Sequence, residues 1–215
     1  MKLLNQLERR LYKFRVQPFF SYIVFAMAGI YLIDLFFPQF FLISRMSLMT
    51  HSVMQGEIWR LVTFIIIPPG GSILQVALTL YFYYFVGTAL ESRWGARRFL
   101  IYYVIGIIAA IISAFIMGYG TNLYLNLSLF FAFAILFPDF QLLLFFMLPI
   151  KVKWLALLNA LYYLYGFVNG TWAIRVAILF SLANLLLFFG GDLYNHLRLA
   201  IQQWKRRQAF KNRSR

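Results

Sequence analysis

Between Pro18 and Gly190 the chain is a succession of long, unbroken apolar runs whose ends are marked by basic residues. This pattern constrains the fold more than any single motif. In hydrocarbon every backbone N–H and C=O must be paired inside the protein, so a spanning segment is a helix or part of a closed barrel. The runs are continuous rather than alternating, which selects helices. Composition agrees: the chain is 63% hydrophobic and 12% charged, with mean hydropathy +0.76. An ordinary soluble domain is about half apolar and about a quarter charged. The expected class is an all-α integral membrane protein, and 215 residues suit one compact bundle without a sizeable soluble domain.

Six runs are long enough to name as spans: 18–37, 72–90, 99–117, 123–137, 152–168 and 172–190. Three segments complete the expected organisation. Residues 1–17 place Leu3, Leu7, Leu11 and Phe14 on one helical face with Lys2, Arg9, Arg10, Lys13 and Arg15 elsewhere, the pattern of an amphipathic helix in the membrane interface. Residues 18–191 form the membrane domain. Residues 192–215 form a basic tail ending in Lys205, Arg206, Arg207, Lys211, Arg213 and Arg215. No cleavable signal peptide is read at the start, because the first residues lack an apolar stretch ending in small residues. Residues 38–71 are rich in Phe, Met, Ile and Leu yet hold Arg45, His51, Glu57 and Arg60, so a structured loop half sunk in the outer leaflet is expected. Residues 139–149 read as an apolar connector along the inner interface.

The formal net charge of +14 would suggest nucleic acid in a soluble chain. Here the charges flank apolar runs, so topology and anionic lipid are the better reading, and no nucleic-acid partner is expected. With both termini cytoplasmic, only Arg45, Arg60 and Arg175 of the 20 Lys and Arg fall outside. The positive-inside rule therefore favours an even number of spans.

Several short patterns carry meaning. Trp59-Arg60 is an aromatic beside a cation, a common interfacial anchor. Gly87, Glu91 and Gly95 recur every four residues, so the glycines permit close helix contact while Glu91 faces the same side and accepts from a neighbouring backbone. Ser128 and Ala132 form a small-xxx-small pair on the fourth run, again for close packing. Asn126, Asn159 and Asn184 are suited to hydrogen bonds between helices. Arg175 is expected to snorkel to the interface. Cysteine is absent, which removes disulfides, thiol nucleophiles and thiolate metal sites. No His/Asp/Glu cluster has metal-ligand spacing, and no glycine loop suits a phosphate, so neither metal nor cofactor is expected.

The order of these signals resembles the rhomboid family of intramembrane serine proteases. Trp59-Arg60 stands in a long first loop, and Gly87-xxx-Glu91-xxx-Gly95 follows the second span. Ala132-Phe133-Ala134-Ile135-Leu136-Phe137-Pro138 ends a short fourth span, and Leu148-Pro149-Ile150-Lys151-Val152-Lys153-Trp154 precedes the fifth. The resemblance covers roughly 18–191 and extends to the derlins, inactive relatives that share the Trp-Arg and the Glu. It implies a six-helix rhomboid-like bundle with a structured first outer loop. Family catalysis uses a serine at the outer end of the fourth span, in a Gly-x-Ser-Gly setting, and a histidine on the sixth. Here the first position falls on Leu123, within Thr121-Asn122-Leu123-Tyr124, and the second falls near Ala177. The oxyanion positions on the second span hold Gln75 and Thr79. The frame is present and the reactive groups are not.

Elimination leads to the same place without alignment. The chain has two histidines, His51 in the first loop and His196 beyond the last run. A serine needs an adjacent base to become a nucleophile, and geometry precedes pKa in choosing one. Lys151 and Lys153 lie on the cytoplasmic border, which removes a serine–lysine dyad. The expectation is thus a non-hydrolytic rhomboid-like pseudoprotease, of the S54 peptidase type in fold only. It would sit in a bacterial plasma membrane, contact membrane lipids and bind transmembrane clients. An active intramembrane serine endopeptidase requires His51 to reach a serine. A lipid- or solute-handling protein requires a polar path lined by Asn126, Asn159 or Asn184.

Overall fold

The computed structural model describes residues 16–144, 148–172, 174–176 and 178–189. The amphipathic segment up to Arg15, the basic tail, Ala177 and His196 lie outside the described residues.

Among the described residues the chain is mainly helical. Helix α1 is Phe20–Phe36, and a 3-10 turn at Pro38–Phe40 leads to α2, Leu42–Met46. Strand β1 (Leu48–Met49) and two short helices, α3 (Thr50–Met54) and α4 (Arg60–Thr63), complete the first loop. Then come α5 (Ile73–Trp94), α6 (Ala96–Met117), β2 (Tyr119–Gly120) and α7 (Leu123–Leu136). A hairpin of β3 (Gln141–Leu144) and β4 (Leu148–Lys151) precedes α8 (Val152–Asn169). Helix α9 covers Ile174–Phe189.

Two helices, α5 and α6 at 22 residues each, are long and apolar enough to cross a membrane. A third span arises if α1 and the segment Pro38–Met46, bent by 103° against it, count together. Helices α7 and α9 are shorter apolar helices. Large apolar side chains stand exposed around the outside, among them Tyr22, Leu74, Tyr81, Ile108, Leu158 and Tyr165. A contiguous apolar exterior of this kind belongs against lipid or protein rather than water.

Helix α7 is the innermost element. Leu125, Ser128, Leu129, Ala132 and Phe133 are buried, and so are Asn126, Phe130 and Ala134. A helix that is apolar on every side and carries small residues suits such a position. It stops at Phe137 because Pro138 lacks the N–H that would continue it. Aromatic rings join it to its neighbours: Phe82 of α5 meets Phe130, and Phe85 meets Phe133 edge-on. At the end of α5 a second aromatic cluster gathers Phe19, Phe20, Trp94, Phe99, Tyr102 and Tyr103. Trp94 also touches Phe188 and Phe189, which brings the end of α9 to the same place.

Two expectations change here. The connector after α7, expected as an apolar connector along the inner interface, is a hairpin with register Gln141↔Lys151 and Leu142↔Ile150. Its base is held by Lys151 and Lys153, whose ammonium groups reach Asp139 Oδ1 at 3.1 and 3.2 Å. Gly95 is not on a packing face. It breaks the chain between α5 and α6 at φ +79°, a left-handed value that favours glycine, and a Cβ there would meet nothing within 4 Å.

Candidate functional site

The first loop is built on Arg60. Its side chain was expected at the interface, but it is buried at 7% exposure. The guanidinium pairs with Glu57 and donates to the carbonyls of Ser44 (2.8 Å) and Ser47 (2.7 Å). A planar fork with several donors can close three acceptors at once, which an ammonium does less well. Trp59 beside it is 55% exposed, so of the adjacent pair it is the cation that closes the loop.

This loop is docked on the start of α7. Strand β1 pairs antiparallel with β2, Leu48 against Gly120 and Met49 against Tyr119. Thr50 donates from its hydroxyl to Ala114 O at 2.8 Å and from its N–H to Gly118 O at 3.0 Å. Asn122 donates to Ile65 O and Ile67 O, at 3.1 and 2.8 Å. Sequence reasoning passed over Asn122; a polar residue just before an apolar helix was the available signal.

The Gly87–Glu91 pattern lies at the other end of α5. A Cβ at Gly87 would overlap the buried Phe20 ring, so glycine is what lets α1 approach. Glu91 is buried and accepts the Phe19 N–H at 2.8 Å, satisfying a donor that the start of α1 leaves open.

The reactive-position residues are dispersed. Leu123 heads α7 with its side chain 48% exposed. Gln75 is exposed on the first turn of α5, and Thr79 returns its hydroxyl to Gln75 O at 2.8 Å. His51 is exposed and accepts a hydrogen bond from Gln55 Nε2 at 3.0 Å. Among the described residues no group of three or more His, Cys, Asp or Glu gathers in metal-holding geometry.

What the helices do bring together is deeper. The Ser128 hydroxyl is buried and hydrogen-bonded to the Tyr102 hydroxyl of α6, which also donates to Ser128 O at 3.0 Å. Asn184 of α9 donates to Ser128 Oγ at 3.3 Å. Ser181, one turn earlier, donates to Tyr124 O at 3.0 Å. Ser128 is therefore the point where α6, α7 and α9 are hydrogen-bonded together, and not only a small residue in a packing seam. Ala132 is fully buried one turn on, and Pro138 is exposed at the exit. Gly106 of α6 makes room here: a Cβ would run into Leu125 and come to 2.9 Å from Asn184 Nδ2.

Of the three asparagines expected to link helices, Asn184 does so by a hydrogen bond to Ser128. Asn159 donates to Leu155 O of its own helix at 3.0 Å. Asn126 is buried on α7 beside the Tyr83 hydroxyl of α5, with neither amide atom in a close hydrogen bond. Arg175 donates to Val168 O at 2.9 Å, joining the starts of α9 and the end of α8.

No protein-family model matches the chain, and no curated protein matches it.

Proposed function

We propose that this chain is a rhomboid-like pseudoprotease: a six-span membrane protein with both termini cytoplasmic that binds transmembrane or membrane-inserted client proteins and does not hydrolyse them. The observation that carries the reading is the head of α7. An apolar, half-exposed Leu123 stands where hydrolysis would need a nucleophile, while the described histidine, His51, is engaged with Gln55 on the exposed loop. Arg60 closing the first loop and Glu91 taking the start of α1 support the reading of a rhomboid-like frame. Ser128 is an unsuitable nucleophile, being 1% exposed and held by Tyr102 and Asn184 with no base beside it.

Client binding would use the exposed apolar faces of α1, α5 and α8, where a transmembrane segment can replace lipid without desolvation. A bacterial plasma membrane is the proposed location, and lipids are constant partners. The test has two arms. Purified protein is treated with a serine-reactive fluorophosphonate and incubated with rhomboid substrates. In native membranes, photocrosslinkers are placed at Leu74, Tyr81 and Leu158. The reading expects no labelling, no cleavage and discrete crosslinked membrane proteins. Cleavage lost on His51→Ala would instead establish the protease.

A further inference from the structure

Asn184 has a second feature beyond its bond to Ser128. Its side chain is 2% exposed, and its Oδ1 has no hydrogen-bond partner. Exchanging the amide O and N does not remove the problem. Oδ1 would then accept from Ser128, and the nitrogen would be left over instead. In either orientation one polar atom of a buried amide is unpaired inside a bundle of low dielectric. A group in that state costs roughly 1–3 kcal/mol unless something meets it.

Beside it lies a cavity of about 30 Å³ between α6, α7 and α9. Ser113, Ser128, Ser181 and Asn184 are its buried polar lining residues, set in a mostly apolar wall that includes Ala109, Met117, Leu125 and Phe180. Tyr119, Gly120 and Thr121, from the β2 turn at which the first loop docks, also line it. A cavity needs about 10–15 Å³ of this kind of volume to hold a water, together with two to four polar partners. An empty cavity stays dry only when its walls are apolar. Volume and lining therefore agree on the ligand.

We infer that this cavity is a hydrated site, holding one or two water molecules that hydrogen-bond the unpaired amide atom of Asn184. It lies on the α6 and α9 side of α7, and Leu123 does not line it. The inference is independent of whether the protein binds clients or cuts them. The chemistry admitted is that of a small neutral donor–acceptor. Ions are disfavoured because no charged side chain lines the cavity to offset the loss of hydration.

The test exploits two leucines. Leu125 and Leu129 are one turn apart on α7 and equally buried, at 3% and 2% exposure. Only Leu125 lines the cavity. The full-length protein in detergent or nanodiscs is exposed to millisecond X-ray pulses, which make hydroxyl radicals from water in place, and oxidation is mapped by mass spectrometry. The hydrated site expects Leu125 to oxidise several-fold faster than Leu129. In Asn184→Leu that excess should fall to the Leu129 level. Equal and minimal oxidation of the two leucines in the unaltered protein overturns the inference, whether or not the variant folds. Persistence of the excess in a folded Asn184→Leu also overturns it, because the water would not be bound through the amide.

Discussion

At the end of α5, Glu91 takes the Phe19 N–H and Gly87 lets the Phe20 ring lie against the helix; between α7 and α9, Asn126 and Asn184 keep buried amide atoms outside close hydrogen bonds. In the first region the Phe19 N–H, like the Arg60 guanidinium of the first loop, meets named acceptors, and the Tyr103 hydroxyl is the buried polar atom left without one. In the second region both asparagines keep amide atoms outside close hydrogen bonds. Both are buried in the same bundle, so the difference is not one of depth. The joints that set helix approach and loop position have their backbone groups closed by side chains, while α7 and α9 retain hydrogen-bonding capacity. A helix used only for packing gains from apolar residues at such places, because an unpaired polar group in the membrane interior is destabilising. The two amides therefore mark places on α7 and α9 that packing alone does not explain.

Changes at these joints should cost most. Arg60→Ala removes the donors for Ser44 O and Ser47 O and leaves Glu57 without its partner. A loss of about 3 kcal/mol is expected, as for charge-assisted bonds removed from one side only. Arg60→Lys should recover less than half of it, since an ammonium cannot hold both carbonyls and the carboxylate in one plane. Unfolding in mixed detergent–SDS micelles measures both. Full stability of Arg60→Ala would show that these bonds are dispensable and dissolve the contrast. Gly87→Val should cost about 2 kcal/mol through overpacking against Phe20. Crosslinking between α1 and α5 should weaken in parallel.

The opposite sign is expected on α7. Asn126→Leu exchanges a buried amide that makes no close hydrogen bond for an apolar side chain of similar size beside the Tyr83 hydroxyl. It should stabilise the protein by about 1 kcal/mol in the same micelle titration. A destabilised Asn126→Leu would mean that the amide is satisfied, and the two regions would then be alike.

The long apolar helices α5 and α6 and the Gly87–Glu91 pattern were legible because each rests on a local period. Long apolar runs report burial in hydrocarbon, and a four-residue repeat of Gly87 and Glu91 reports one helix face. What was not legible depends on residues far apart. Arg60 beside Trp59 reads as a surface anchor until Ser44 and Ser47 are seen to bring their carbonyls around it. Ser128 and Asn184 are 56 positions apart, and nothing local in either helix announces the bond. Gly95 misled because it continues the α5 spacing while serving as the break. The β3–β4 hairpin was hidden because its strands read as one apolar run. The reactive positions stand differently: Leu123 and Gln75 are placed on exposed surface, and Ala177 is outside the described residues.

The smallest effect concerns that hairpin. Asp139 is exposed and accepts from both Lys151 and Lys153. Their hydrogen bonds, Lys151 first, and then their charges hold its carboxyl below the ordinary value of 3.8. A carboxyl with a lowered folded pKa adds stability above its unfolded value and loses it as pH falls through the folded one. The contribution is therefore complete at neutral pH and fades only below about pH 4, in moderate salt less strongly than in low salt. Amide hydrogen exchange of Leu142 and Ile150, paired across the hairpin, should quicken slightly relative to the pH-corrected intrinsic rate over that window. Asp139→Asn should show the faster value at every pH and no step. An equal step in the variant would assign the change to another carboxyl and leave the hairpin base held by its backbone bonds alone, such as Val152 N–H to Phe140 O at 2.8 Å.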